Sequence, residues 1–140
     1  MSLGPHGWAW LVSGRRLVIW RYRAATGGRA QCRELALPPS DLAHRSELCT
    51  VYCQSEGQTP CCLAVSPEGV VRYWPSIAHE GSSSETSAEL GGQECYSLTD
   101  IHPVGCILAT TTSTLVLIHH TGQGVGCRRL QVAKIRVLIL

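Results

Sequence analysis

Residues 61–74 read CCLAVSPEGVVRYW: an apolar run, a polar turn over Ser66, Pro67, Glu68 and Gly69, and a second apolar run ending on Trp74. Two short apolar runs separated by Pro and Gly form a β-hairpin pattern. The pattern recurs at residues 7–20 (GWAWLVSGRRLVIW) and 106–119 (CILATTTSTLVLIH). The turns fall at Ser13-Gly14 and from Thr110 to Ser113, and the second runs close on Trp20 and His119. Starting at 7, 61 and 106, the copies lie 54 and 45 residues apart. Repeats of that length, built from short strands, mark the blades of a β-propeller.

Weaker strands fill the intervals. Residues 31–36 (QCRELA) mix polar and apolar side chains as an outer strand does, and Pro38-Pro39 stops them, since proline cannot donate to a ladder. Residues 48–53 alternate so that Cys49, Val51 and Cys53 share a face. A weak strand is expected at 88–90, cut by Gly91-Gly92, with others at 94–101 and 125–132. Residues 80–89 read as a Ser-rich exposed loop without period, and no apolar run has helical spacing.

Ten or eleven strands assign as b, c and d of a first blade and a to d of two more. The fold class is all-β: a partial β-propeller of about two and a half to three blades of four-stranded antiparallel meanders. It occupies residues 1–131, and residues 132–140 form a divergent apolar tail. A closed ring needs about 4–8 blades. The terminal blades are therefore expected to carry uncovered apolar faces, giving poor solubility or dependence on another chain.

Composition narrows the function. Twelve Lys and Arg against ten Asp and Glu leave a formal charge of +2, too small a basic bias for a dedicated nucleic-acid surface. No apolar stretch approaches the roughly 20 residues of a membrane helix, and no secretory signal opens the chain. Eight cysteines sit mostly in strand-like runs and read as reduced, buried structural thiols.

Catalytic and metal motifs do not assemble. Cys61-Cys62 and His119-His120 are strand neighbours that point to opposite faces. Cys49 and Cys53 lie about 13 Å apart at ~3.3 Å per residue, with no second pair to complete a zinc site. No nucleophile elbow or phosphate loop occurs, and residues 122–126 (GQGVG) lie between two strands, as a hairpin turn does. Catalytic, cofactor-binding and metal residues are all read as none. Trp8 and Trp10 share a strand face that is expected to be buried between blades, while Trp20 and Trp74 occupy equivalent hairpin positions. Trp8, Trp20 and Trp74 are therefore taken as structural repeat anchors.

The hairpins also carry a family resemblance. Gly7-Trp8-Ala9 with Leu11-Val12, Leu37-Pro38-Pro39-Ser40-Asp41, Arg72-Tyr73-Trp74-Pro75-Ser76 and Tyr96-Ser97-Leu98-Thr99 follow in one order. Together they resemble the N-terminal β-propeller of the nucleoporin 133/155 family. The resemblance implies a truncated scaffold subunit of the outer-ring Y-complex, located at the nuclear pore complex of the nuclear envelope. Its partners would be other pore scaffold subunits, its work nucleocytoplasmic transport and mRNA export through protein contacts. It implies no enzyme activity, no cofactor, no small-molecule substrate and no direct nucleic-acid contact. The family's lipid-sensing loop is not visible here, so membrane contact does not carry over, and the family's helical solenoid is missing. The alternative is a propeller-repeat adaptor outside the pore; a thiol or zinc enzyme is a third reading.

Binding usually lies in exposed loops on a rigid scaffold. The candidate contact regions are the 38–45 connection, with Pro38, Pro39 and Asp41, and the acidic 77–89 loop, with Glu80 and Glu85.

Overall fold

In the computed structural model, residues 1–4, 7–22, 32–53, 59–101, 104–121 and 124–130 are described. They form three four-stranded antiparallel sheets and no α-helix. The first sheet runs β1 (Ser2–Leu3), β2 (Trp8–Ser13), β3 (Arg16–Arg21) and β4 (Cys32–Ala36). The second runs β5 (Cys49–Tyr52), β6 (Cys61–Val65), β7 (Val70–Trp74) and β8 (Ser84–Ser87). The third runs β9 (Cys95–Ile101), β10 (Gly105–Thr110), β11 (Leu115–Thr121) and β12 (Gly124–Leu130). Each sheet is a meander in chain order, and the expected partial propeller is the fold.

The sheets stack face to face. Trp8, Trp10, Leu17, Ile19 and Leu35 of the first pack against Cys49, Val51, Cys62, Ala64 and Trp74 of the second. Cys61, Leu63, Val65, Val71 and Tyr73, on the opposite face of the second sheet, pack against Cys106, Leu108, Val116 and Ile118 of the third. In the second seam β5 contacts β9 and β8 contacts β12, so there the inner strand meets the inner strand and the outer strand the outer one. This order distinguishes propeller stacking from a two-sheet sandwich. The middle sheet is covered on both faces, which is why every residue of β6 is buried.

Local chemistry builds the hairpins. In the β6–β7 turn, Ser66 donates its N–H to the Val70 carbonyl at 2.8 Å, and its hydroxyl accepts the Val70 N–H at 3.0 Å. Thr110 repeats both bonds with Thr114 in the β10–β11 turn, at 2.9 and 3.0 Å. A hydroxyl residue at the mouth of each turn satisfies backbone groups that the ladder leaves open.

Four expectations need correction. The first sheet has its inner strand after all: Ser2 and Leu3 pair with Trp10 and Ala9. Two residues carry too little pattern to be read from sequence. The 80–89 segment is not structureless, since Glu80–Ser82 makes a 3-10 turn and Ser84–Ser87 pairs with β7. Its outer position requires no apolar residues, so periodicity missed it. The expected strand at 88–90 is absent; Glu89 takes φ 51 there, while Ala88 and Leu90 are buried in the second seam. In the third hairpin the residue equivalent to Trp20 and Trp74 is Ile118, not His119. The pairs Ala9↔Trp20, Cys62↔Trp74 and Cys106↔Ile118 occupy the same step.

A further 3-10 turn, Ser46–Leu48, precedes β5, and the described residues hold twelve strands where ten or eleven were expected. The 132–140 tail lies outside the described residues.

Candidate interaction surface

Both candidate loops begin where the first sheet meets the second. The 38–45 connection follows β4 and crosses to the second sheet. Leu37 and Pro38 are buried at its start, so Pro38 is no surface contact, whereas Pro39, Asp41 and Leu42 are exposed. Inside the loop, a His44 ring nitrogen lies 2.8 Å from the Pro38 carbonyl. Its crest is held by Glu68 from the β6–β7 turn: one carboxylate oxygen accepts the Ser40 hydroxyl at 2.6 Å, the other the Asp41 N–H at 2.8 Å. Partial burial alone would raise the Glu68 carboxyl. Hydrogen bonds from Ser40, from the Asp41 and Glu68 backbone N–H groups and from Ser66 outweigh it, and the group titrates below its ordinary value.

The 77–89 loop is tied to the same seam. Glu80 accepts the Ala36 N–H at 2.9 Å, and Arg72 donates to the Ala36 carbonyl at 2.9 Å. Ala36 ends β4, the outer strand of the first sheet, so Arg72 of the second sheet and Glu80 of the β7–β8 connection hold both of its backbone groups. Glu85 sits opposite Arg72 on β8 and receives its Nε and Nη2 protons at 3.0 and 2.7 Å. Glu80 and Glu85 thus spend their carboxylates inside the chain, although both remain exposed. The seam between the second and third sheets has a parallel bond, from the Arg129 guanidinium to the Glu89 carbonyl at 3.3 Å.

The three tryptophans differ. Trp8 and Trp74 are 5% and 1% exposed and lie in the first seam, where the Arg21 guanidinium also stands 5.8 Å from the Trp8 ring centroid. Trp20 is half-buried on the face turned away from the second sheet. Trp10, not counted among the anchors, donates its indole N–H to the Ser46 carbonyl at 3.1 Å and ties β2 to the second sheet. Its spacing from Trp8 placed it on the same face, but the indole bond depends on a loop whose path no local pattern specifies.

None of the eight cysteines is joined in a disulfide. Burial pushes the Cys49 and Cys106 thiols up to about 12, helped by Glu47 and Asp100 respectively. Burial likewise lifts Cys95, with Glu68 and Glu94 adding to it, and Cys127, both to about 11. Such thiols are protonated at neutral pH and are poor nucleophiles. Cys61 and Cys62 point into opposite seams, and His120 stacks on Tyr73 with ring centroids 4.6 Å apart. Among the described residues no three His, Cys, Asp or Glu side chains gather as a metal would need. Thr121 pairs with Gly124, so Gly124, Val125 and Gly126 of the GQGVG segment belong to β12 and not to a turn; residues 122 and 123 lie outside the described set.

Comparison with known proteins fits this arrangement. The family model described as "Nup133 N terminal like" matches residues 2–125. The chain is 46% identical over 130 residues to the nuclear pore complex protein Nup133 of Drosophila melanogaster, covering 81% of this chain and 11% of that protein. It is 42% identical over 94 residues to Nup133 of Danio rerio, covering 61% and 8%, and 35% identical over 132 residues to Nup133 of Homo sapiens, covering 89% and 11%. The chain therefore spans about a tenth of the length of these relatives. With its three-sheet stack and a match over nearly its whole length, this chain belongs to the Nup133 N-terminal-like nucleoporin family.

Proposed function

We propose that this chain is a structural part of the nuclear pore complex at the nuclear envelope, acting through protein–protein contacts with other scaffold subunits. The carrying observation is the family match over residues 2–125 on a stack of three rigid sheets. A rigid stack with exposed loop crests offers contact area and needs no transition-state machinery. The exposed Pro39, Asp41 and Leu42 crest, braced from below by Glu68, is the surface best suited to a partner. The finer reading places the chain in the outer-ring Y-complex, supporting nucleocytoplasmic transport and mRNA export without catalysis.

The test is placement in cells. A fluorescent fusion of the 140-residue chain is expected to give a punctate nuclear rim that coincides with a pore marker. Replacing Pro39, Asp41 and Leu42 by alanine is expected to disperse it. A diffuse signal from the unaltered fusion, or a rim indifferent to the loop change, contradicts the corresponding part of the proposal.

A further inference from the structure

Most charged side chains around the first seam are spent inside the chain. Glu68 holds the 38–45 crest, Glu80 and Arg72 hold Ala36, Glu85 holds Arg72, and Arg45 pairs with Glu47 at 3.6 Å. Arg15 and Asp41 differ. Both are exposed, and neither makes an ion pair among the described residues.

Both line one depression. It has a volume of about 420 Å3 and lies between the β2–β3 turn and the 38–45 connection. Val12, Gly14 and Arg15 stand on one side, and Asp41, Leu42 and His44 on the other. The walls are fixed before anything binds. The Leu37 N–H donates to the Arg15 carbonyl at 2.9 Å, which starts the connection beside the turn. The Ser40 hydroxyl oxygen accepts the Leu42 N–H at 3.0 Å, and Glu68 braces the crest from the second sheet. All these groups are described residues, so the first seam's own loops shape the depression. A preorganised site of this kind spends little on ordering when a partner arrives.

The lining sets what fits. Leu42 is 48% exposed, and Val12, which packs on the first-seam core, is half-buried. They supply apolar contact between a positive wall at Arg15 and a negative one at Asp41.

The geometry points to a short peptide segment of a partner protein as the occupant, with an apolar side chain between an acidic and a basic residue. The apolar side chain packs on Leu42 and Val12, the carboxylate faces Arg15, and the cation faces Asp41. Each exposed charge pair adds little affinity, but two of opposite sense fix the direction in which the segment lies. A purely acidic or purely basic segment would meet one like charge. This occupant deepens the reading of the crest as a partner contact and rests on that reading.

Selection from a phage library of random heptapeptides on the immobilised 140-residue chain tests it. Enriched peptides are expected to share an apolar residue flanked by one acidic and one basic residue. Arg15→Glu and Asp41→Lys are each expected to weaken a selected peptide about fivefold, the top of the range for exposed pairs. Leu42→Ser is expected to weaken it further by removing the apolar contact. Selection repeated on Arg15→Glu is expected to exchange the acidic residue for a basic one. All three positions are exposed, so the variants are expected to melt with the unaltered chain. No enriched pattern, a pattern lacking either charge, or binding indifferent to Arg15→Glu or to Asp41→Lys would overturn the inference. The selection reads the purified chain, so its failure is distinct from a missing nuclear rim, which would count against the pore assignment.

Discussion

The Arg72 guanidinium reaches 2.9 Å across the first seam to the carbonyl of Ala36, at the end of the neighbouring outer strand. Glu85 orients it from β8, and Glu80 takes the Ala36 N–H. One backbone unit of the first sheet is thereby clamped by the second. Arg72→Met keeps much of the stem packing and removes the charge, so its cost measures the clamp. The expected loss is about 1.5–3 kcal/mol in urea unfolding, the range for hydrogen bonds to charged groups. Glu80→Gln retains an acceptor oxygen and is expected to cost less than Glu80→Ala.

Glu68 makes the brace under the 38–45 crest sensitive to acid. Its carboxyl titrates below the ordinary value of 4.5 in the folded chain, so folding favours the ionised form. That stabilisation is fully present above 4.5 and is lost as pH falls through the lower folded value. Urea midpoints from neutral pH down to acid are expected to fall more steeply for the unaltered chain than for Glu68→Gln. Parallel curves would show that the carboxylate contributes nothing. Glu68 is exposed, so the effect is small.

Trp10 and Trp74 form a matched pair for hydrogen-bond energetics. Both are buried in the first seam, but the Trp10 indole N–H has an acceptor, while the buried Trp74 indole N–H has none among the described residues. Trp10→Phe loses a bond to the Ser46 carbonyl, which keeps the Cys49 N–H; Trp74→Phe removes a donor that has no acceptor among the described residues. Trp10→Phe is expected to destabilise by about 1 kcal/mol more than Trp74→Phe. Equal losses in denaturant melts would refute this.

Gly105 opens β10 at φ 144, and a Cβ there would stand 2.2 Å from the Ile118 carbonyl oxygen. Gly105→Ala is expected to cost about 2–4 kcal/mol, combining backbone strain with overpacking. Gly14 has φ 60 but open space around it, so Gly14→Ala should cost only about 1–2 kcal/mol. Thermal melts of the two variants distinguish contact from conformation.

Thiol labelling should follow burial. Cys32 is exposed, Cys53 and Cys127 are half-buried, and Cys49, Cys61, Cys62, Cys95 and Cys106 are buried. Titration with an aromatic disulfide is expected to show one fast thiol, two slow ones, and five released only by denaturant. Fast reaction of more than three thiols would show the seams open.

How much was readable depended on how each residue earns its place. The central hairpins were legible because apolar alternation and hydroxyl-bearing turns are local, as Ser66 and Thr110 show. The strands β1 and β8 were not legible: two residues carry no period, and SETS at an outer edge has no apolar side chain to betray it. Glu80 and Glu85 were read as candidate partner contacts on an exposed loop, yet their carboxylates close contacts with Ala36 and Arg72. Those partners lie 44 and 13 residues away, beyond the reach of any local pattern.

The amino-acid order alone determined that this protein is a run of β-meanders with buried thiols and tryptophans, because hairpin formation depends on side-chain alternation over a few residues. Only the tertiary structure decided which face of each meander is covered, that Trp74 is sealed while its equivalent Trp20 is not, and that loop charges serve as clamps. Burial is a property of neighbours, and neighbours are assigned when sheets stack, not when strands pair.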